Sequence, residues 1–199
     1  MSKQHLTLIG RALFARRRGW AGLPLLLPSI VMAGPTGGEV VDGTADISTP
    51  DSSTTQIDQA TASAIINWQT FSVGADEFVI FNQPSASSVV LNRVIGGSMS
   101  EILGNLQANG RVFLVNPMGV LFGESARIDV GGLMATTMDI SNTDFMAGNY
   151  VFAGDSTAAL ENRGVLSANN GFVVLSADQV RNTGPVSYTH LTLPTIYSV

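Results

Sequence analysis

The chain has 199 residues, of which 13% are charged and 45% hydrophobic, so it is too apolar for disorder and too poor in Glu, Lys and Arg for a helical protein. Its length suits one domain with a substantial core. Half of its ten basic residues lie before position 20, whereas residues 34–185 hold five arginines against all fifteen acidic residues, a net charge of −10. Such a surface repels phosphate backbones, which excludes nucleic-acid binding. There is no cysteine, and the two histidines, His5 and His190, lie near the ends. The central body therefore lacks the residues of a catalytic triad or of most zinc sites, and neither a metal nor a cofactor is expected.

Residues 1–33 read as an export signal. A basic segment ends at Arg16-Arg17-Arg18 and an apolar run extends from Trp20 to Met32. Val31-Met32-Ala33 then offers a cleavage point between Ala33 and Gly34. The run is shorter than the roughly 20 residues that a membrane span needs, and Pro24 and Pro28 interrupt it, so no stable span is expected.

Residues 34–63 are rich in Gly, Ser, Thr and Asp, with short β runs at Glu39–Val41, Ala45–Ser48 and Thr54–Ile57. They read as an irregular entry that caps the first coil and hides its strand edges. Stronger strands follow at Ile65–Phe71, Glu77–Phe81 and Val89–Ile95, closed by corners at Asn82-Gln83-Pro84 and Gly96-Gly97. Ser98-Met99-Ser100-Glu101 has the form of a capping box and predicts a short helix through Ile102-Leu103, stopped by Gly104. Ser141-Asn142-Thr143-Asp144 predicts a second one through Phe145-Met146, stopped by Gly148.

Between these helices, Arg111 to Gly132 alternates apolar runs with tight corners. Val112–Val115 and Val120–Phe122 flank Asn116-Pro117-Met118-Gly119, and a further run ends at Gly131-Gly132. Strand, corner, strand and corner, without room for helices, describe a chain wound into flat-sided coils. The segment from Leu106 echoes that from Leu166 through Ala168-Asn169-Asn170-Gly171, 60 positions on, which suggests three coils of about 20 residues. An all-β parallel β-helix is the expected fold. It would have six or seven coils stacked about 4.8 Å apart, a rod about 30 Å long. An antiparallel sandwich shares the composition, but the echo and the scarcity of two-residue hairpin signals favour the solenoid. Residues 186–199 depart from this style, with two of the three tyrosines and no Gly, Asn or acidic residue, and read as a non-native read-through tail.

The segments from Ile66 to Gly97, Gly110 to Ser141 and Asp144 to Gly154 resemble the N-terminal two-partner secretion domain of filamentous-haemagglutinin-like exoproteins. The resemblance spans residues 36–183 and implies a right-handed parallel β-helix with an N-terminal cap and small extra-helical elements. It implies the leading part of a large adhesin- or haemagglutinin-like exoprotein of a Gram-negative bacterium, secreted through the periplasm to the cell surface or beyond. The implied partner is a TpsB-type outer-membrane β-barrel transporter with periplasmic POTRA domains. Host-cell surfaces or glycans would be met by the downstream region.

Asn116, Pro117 and Gly119 fall on the family's Asn-Pro-Asn-Gly motif, with Met118 in place of its second Asn; Asn82, Gln83, Pro84 and Leu91-Asn92-Arg93-Val94 also fit its pattern. Each is read as a turn-geometry residue or as a transporter-recognition residue, and corner geometry is the more economical of the two. Main-chain pairing at a sheet edge is a further route to recognition.

Two other functions fit a parallel β-helix. A polysaccharide-active enzyme would need clustered carboxylates, but Asp129, Asp139, Asp144 and Asp155 are widely spaced and residues 34–199 hold no Lys. A passive glycan-binding solenoid would need exposed aromatics, for which Trp68 and Tyr150 are the candidates.

Overall fold

In the computed structural model of the chain, residues 34–168 and 171–188 are described. They lie in the compact unit Val31–Val199. The export signal, Ala33 at its cleavage point, Asn169 and Asn170 of the repeat, both histidines and the tail beyond Tyr188 lie outside the described residues.

The entry consists of β1 (Glu39–Asp42) and β2 (Ala45–Ser48), followed by β3 (Thr54–Gln59) and β4 (Ser63–Trp68). Then come β5 (Phe78–Asn82) and β6 (Val89–Val94). From there each coil holds three strands: β7 (Ser100–Ile102), β8 (Asn105–Ala108) and β9 (Arg111–Val115), then β10 (Val120–Phe122), β11 (Arg127–Val130) and β12 (Gly132–Thr136). An excursion over 137–158 carries α1 (Asn142–Met146). The winding resumes with β13 (Ala159–Asn162), β14 (Val165–Ala168) and β15 (Val173–Ser176), and ends in β16 (Gln179–Asn182) and β17 (Val186–Tyr188).

These strands form three sheets running along a β-solenoid. The first is β1-β4-β6-β9-β12-β15, the second β16-β13-β10-β7 and the third β17-β14-β11-β8-β5-β3-β2. Every pairing is parallel except β1 on β4 and β2 on β3, which are antiparallel and cap the first coil. The expected parallel solenoid with an N-terminal cap is what forms. Its interior follows from side-chain alternation repeated in register, since residues paired between coils present the same face. Val79 stands over Leu106, Leu106 over Ile128, Ile128 over Leu166 and Leu166 over Val186. The four members from Val79 to Leu166 are buried, each such side chain contributing about 1.5–3 kcal/mol.

Two sequence expectations are corrected here. The segment expected as a helix at 98–103 is strand β7, paired in parallel with β10 through Ser100–Val120 and Ile102–Phe122. A helix would have turned Ser100 and Ile102 to different faces. In the strand both point inward, Ile102 into the apolar core and Ser100 onto a polar partner of the next coil. Leu106 and Leu166 are separated by two coils and not three, because Ile128 is their shared neighbour and the second of those coils carries the 137–158 excursion.

The second expected helix does form. Ser141 caps α1, its Oγ accepting from the Asp144 backbone N–H at 3.0 Å, and Gly148 closes the turn with φ +77°. The excursion lies on the outer face of the first sheet, where it covers Ile65, Leu91, Phe113 and Met134 with Ile140 and Phe145. The molecule thus has an inner core within the coils and a smaller outer one beneath the excursion. In the tail, Val186–Tyr188 pairs with β14 as β17.

Candidate functional site

The motif residues occupy two different corners. Asn116–Gly119 links the first sheet to the second, from β9 to β10. Asn82–Pro84 links the third to the first, from β5 to β6. The structure does not bring them together.

At the first corner Asn116 is fully buried. Its Nδ2 donates to the Ser98 carbonyl at 3.0 Å and to Ser100 Oγ at 2.9 Å, and its Oδ1 accepts from the Met118 backbone N–H at 2.9 Å. The Gly119 N–H closes the turn on the Asn116 carbonyl at 3.0 Å. One amide therefore spans two coils and shapes its own turn, which only Asn does economically at this length. Gly119 has φ +105°, and a Cβ there would stand 2.9 Å from the Ala159 carbonyl oxygen, so a side chain is excluded twice over.

Pro117 and Met118 face solvent, Met118 with half of its surface exposed. The family's second Asn is thus replaced at a position whose side chain points outward, and the turn keeps the Asn116 hydrogen bonds that shape it. Ser156, from the end of the excursion, donates its hydroxyl to the Pro117 carbonyl at 2.6 Å.

At the second corner Asn82 is exposed, and its Nδ2 donates to Asp58 Oδ1 at 2.7 Å on the neighbouring coil. That bond, and then one from Gln56, holds the Asp58 carboxyl below the ordinary carboxylate range. Gln83 is buried. Its Nε2 donates to Gln59 Oε1 at 3.0 Å, while its backbone exchanges two hydrogen bonds of 2.7 Å with the Asn109 side chain of the next coil. Pro84 is exposed.

Asn92 belongs to neither corner. It sits in the inner core, fully buried between Ile66 and Leu114 in adjacent coils. Its Oδ1 accepts from Trp68 Nε1 at 3.0 Å and its Nδ2 donates to the Phe113 carbonyl at 3.3 Å. A buried amide and a buried indole thereby satisfy each other, which offsets the cost of polar groups in an apolar stack.

Beside it in the sequence, Arg93 points the other way and fastens the excursion. Its guanidinium donates to Asp139 Oδ1 at 2.8 Å, Asn142 Oδ1 at 2.8 Å and the Ile140 carbonyl.

The sequence reading missed Ser100, Gln59 and Asn109, which complete these networks. Their signal is only the recurrence of short polar residues next to corners, because each partner lies one coil away. Of the carboxylates, Asp139 serves Arg93 and Asp144 receives the Ser141 hydroxyl at 2.6 Å. No group of three or more His, Cys, Asp or Glu is placed to hold a metal among the described residues. Trp68 is corrected as a glycan platform, because it is buried and its indole N–H is committed to Asn92. Tyr150 remains partly exposed, packed edge-to-face against Phe113 with ring centroids 4.9 Å apart.

Residues 32–196 match the TPS secretion domain. The chain belongs to the TPS secretion domain family. Two curated relatives, both heme/hemopexin-binding proteins of Haemophilus influenzae, extend the likeness. One is 42% identical over 165 residues, covering 78% of this chain and 18% of its own length. The other is 40% identical over 114 residues, covering 57% and 12% respectively. The chain thus spans less than a fifth of the curated relatives it matches. Among solved structures, the HMW1 secretion domain of Haemophilus influenzae superposes with a TM-score of 0.74 at 37% identity, covering 78% of this chain and 42% of that one. The expected family and fold are therefore established, and the chain is a secretion domain of two-partner secretion exoproteins and not a member of an enzyme family. No helix among the described residues is long and apolar enough to cross a membrane.

Proposed function

We propose that this TPS secretion domain is the export module of a longer adhesin- or haemagglutinin-like exoprotein of a Gram-negative bacterium. Residues 1–33 direct it to the periplasm and are cut between Ala33 and Gly34. There the POTRA domains of a TpsB-type outer-membrane transporter recognise it, and it passes through the barrel unfolded and folds into the solenoid outside. The supporting observation is the match to the secretion domain over residues 32–196. A cysteine-free chain suits such a passage, having no disulfide to obstruct it. The part shared with the heme/hemopexin-binding proteins is less than a fifth of their length, whereas the secretion-domain match spans residues 32–196, so the likeness speaks for export rather than for haem binding. Host contacts belong to the downstream region in this reading.

Within the domain, the segments Asn82–Pro84 and Asn116–Gly119 are the candidates for transporter contact, met as stretches of chain before the solenoid forms. In the folded solenoid Asn116, Asn92 and Gln83 act from inside as supports.

The test is secretion of the chain from cells with and without a matching transporter. Accumulation in the medium only when the transporter is present is expected. Equal release without it would overturn the reading.

A further inference from the structure

A cut between Ala33 and Gly34 turns the Gly34 nitrogen from a peptide N–H into an α-ammonium, a charge that the uncut chain does not carry there. It is also the sole amine of residues 34–199, which hold no Lys. Gly34 begins a short strap, residues 34–38, that is tied down just beyond β4. The Thr36 N–H donates to the Thr70 carbonyl at 2.9 Å, and the Gln69 N–H donates to the Thr36 carbonyl at 2.9 Å. The hydroxyls of Thr36 and Thr70 are hydrogen-bonded at 2.6 Å. Gly38 passes so close to Trp68 that a Cβ there would come within 2.5 Å of its ring. The strap is thus held from Thr36 onward, which fixes where its first residue lies.

Gly34 lines a cavity of about 20 Å³ with Thr55 and Glu77 on its wall, space for a group the size of one water. A Cβ at Gly34 would stand 3.6 Å from Thr55 Oγ1 and 3.8 Å from Glu77 Oε2. The Gly34 nitrogen is bonded to the same Cα, about 2.5 Å from that point. Glu77 is the one titratable residue among those described around the cavity. It is half-buried and held in a tight turn. Its Oε2 accepts from the Gly74 N–H at 2.7 Å, and its own N–H donates to the Gly74 carbonyl at 2.9 Å. Its carbonyl accepts from the Asn105 N–H of the next coil at 2.9 Å. A carboxylate accepts several donors at once, so the Gly74 bond and an ammonium are compatible.

We infer that this cavity is a binding site for the chain's own processed N-terminus, whose ammonium pairs with the Glu77 carboxylate and completes the cap. The charge-assisted bond joins the strap to the turn before β5, and through Asn105 to the coil of β8. It forms as the solenoid folds and involves no partner protein. Removal of residues 1–33 thereby stabilises the folded cap as well as releasing the chain. The inference rests on the cleavage reading above.

Thermal melting of residues 34–199, freed from a fusion by a protease that leaves Gly34 first, tests it before and after acetylation. Acetylation neutralises the Gly34 amine and no other, because no Lys is present. The free-amine chain is expected to melt about 2–4 °C above the acetylated one at neutral pH. A carboxylate partner raises the amine's pKa, so the gain is full below the amine's ordinary value and disappears as pH rises through the folded one. Glu77→Gln keeps an acceptor for the Gly74 N–H. It should lower the free-amine chain to the acetylated level and leave the acetylated chain unchanged. A chain that retains Ala33, with its amine one residue away, should melt with the acetylated form.

Equal melting of the free and acetylated chains would overturn the pair. So would an equal loss from Glu77→Gln in both, which would make Glu77 a staple of its own turn. Mass spectrometry of the secreted protein reads the cleavage separately. A first residue other than Gly34 would remove the cleavage reading and the inference with it, whereas Gly34 first beside equal melting would remove the inference alone.

Discussion

The corner at Asn116–Gly119 and the corner at Asn82–Pro84 use similar residues in opposite ways. At the first, the Asn is fully buried, ties two coils together and shapes its own turn, while the residues after it face solvent. At the second, the Asn is exposed and reaches only the Asp58 carboxylate of the neighbouring coil, while the Gln after it goes inside. An asparagine at a solenoid corner is thus a keystone or a fringe, depending on which side of the coil it faces. Its stability contribution and its availability to a partner should vary inversely.

The largest effect is expected from Asn116→Ala. It removes two donors and one acceptor from a buried site and leaves the Ser98 carbonyl, Ser100 Oγ and the Met118 N–H without that partner. A loss of about 2–4 kcal/mol in urea unfolding is expected. Gly119→Ala, which forces a side chain onto φ +105° against the Ala159 carbonyl, should cost about 1–3 kcal/mol by the same measurement.

Arg93→Ala should cost about 1–3 kcal/mol, and the loss should be local. Hydrogen exchange is expected to speed up over residues 137–158 and to stay unchanged in β4 and β6. Equal acceleration in the inner strands would mean that the excursion and the solenoid unfold as one.

Asn82→Ala should have the smallest effect on stability, about 0.5 kcal/mol or less, because the pair is exposed. Its signature is a titration. The Asn82 amide is the main cause of the lowered Asp58 pKa, so removing it should move that pKa upward toward its ordinary value of 3.8 in an NMR titration. A carboxylate held low stabilises the fold above its unfolded pKa, and that contribution disappears as pH falls through the folded value. The variant should therefore trail the parent at neutral pH and converge with it in acid. An unmoved Asp58 would show that Gln56 alone sets the shift.

Much of the solenoid was legible because its rules are local. Glycine, proline and asparagine mark the corners, alternating apolar residues mark strands such as β8 and β11, and the antiparallel entry is short and irregular, as a cap must be. What failed was what depends on the next coil. Ser98-Met99-Ser100-Glu101 has the local chemistry of a helix start, and only Asn116, supplied one coil later, makes Ser100 an inward strand residue. The echo between Leu106 and Leu166 was genuine as a stack but miscounted, since nothing local reveals how long an excursion one coil carries.

At the site, the sequence picked out Asn116, Asn92, Gln83 and Asn82 by residue type. It did not show that three face inward and one outward, because Trp68, Gln59, Asn109 and Ser100 meet them only through stacking.

The central claim is that a single turn divides its labour, with Asn116 holding the fold from inside and Met118 left free on the surface. Urea unfolding of Asn116→Ala beside Met118→Asn tests it most directly. A loss of about 2–4 kcal/mol is expected for the first and a change within about 0.5 kcal/mol for the second. Equal losses, or a larger one for Met118→Asn, would contradict it.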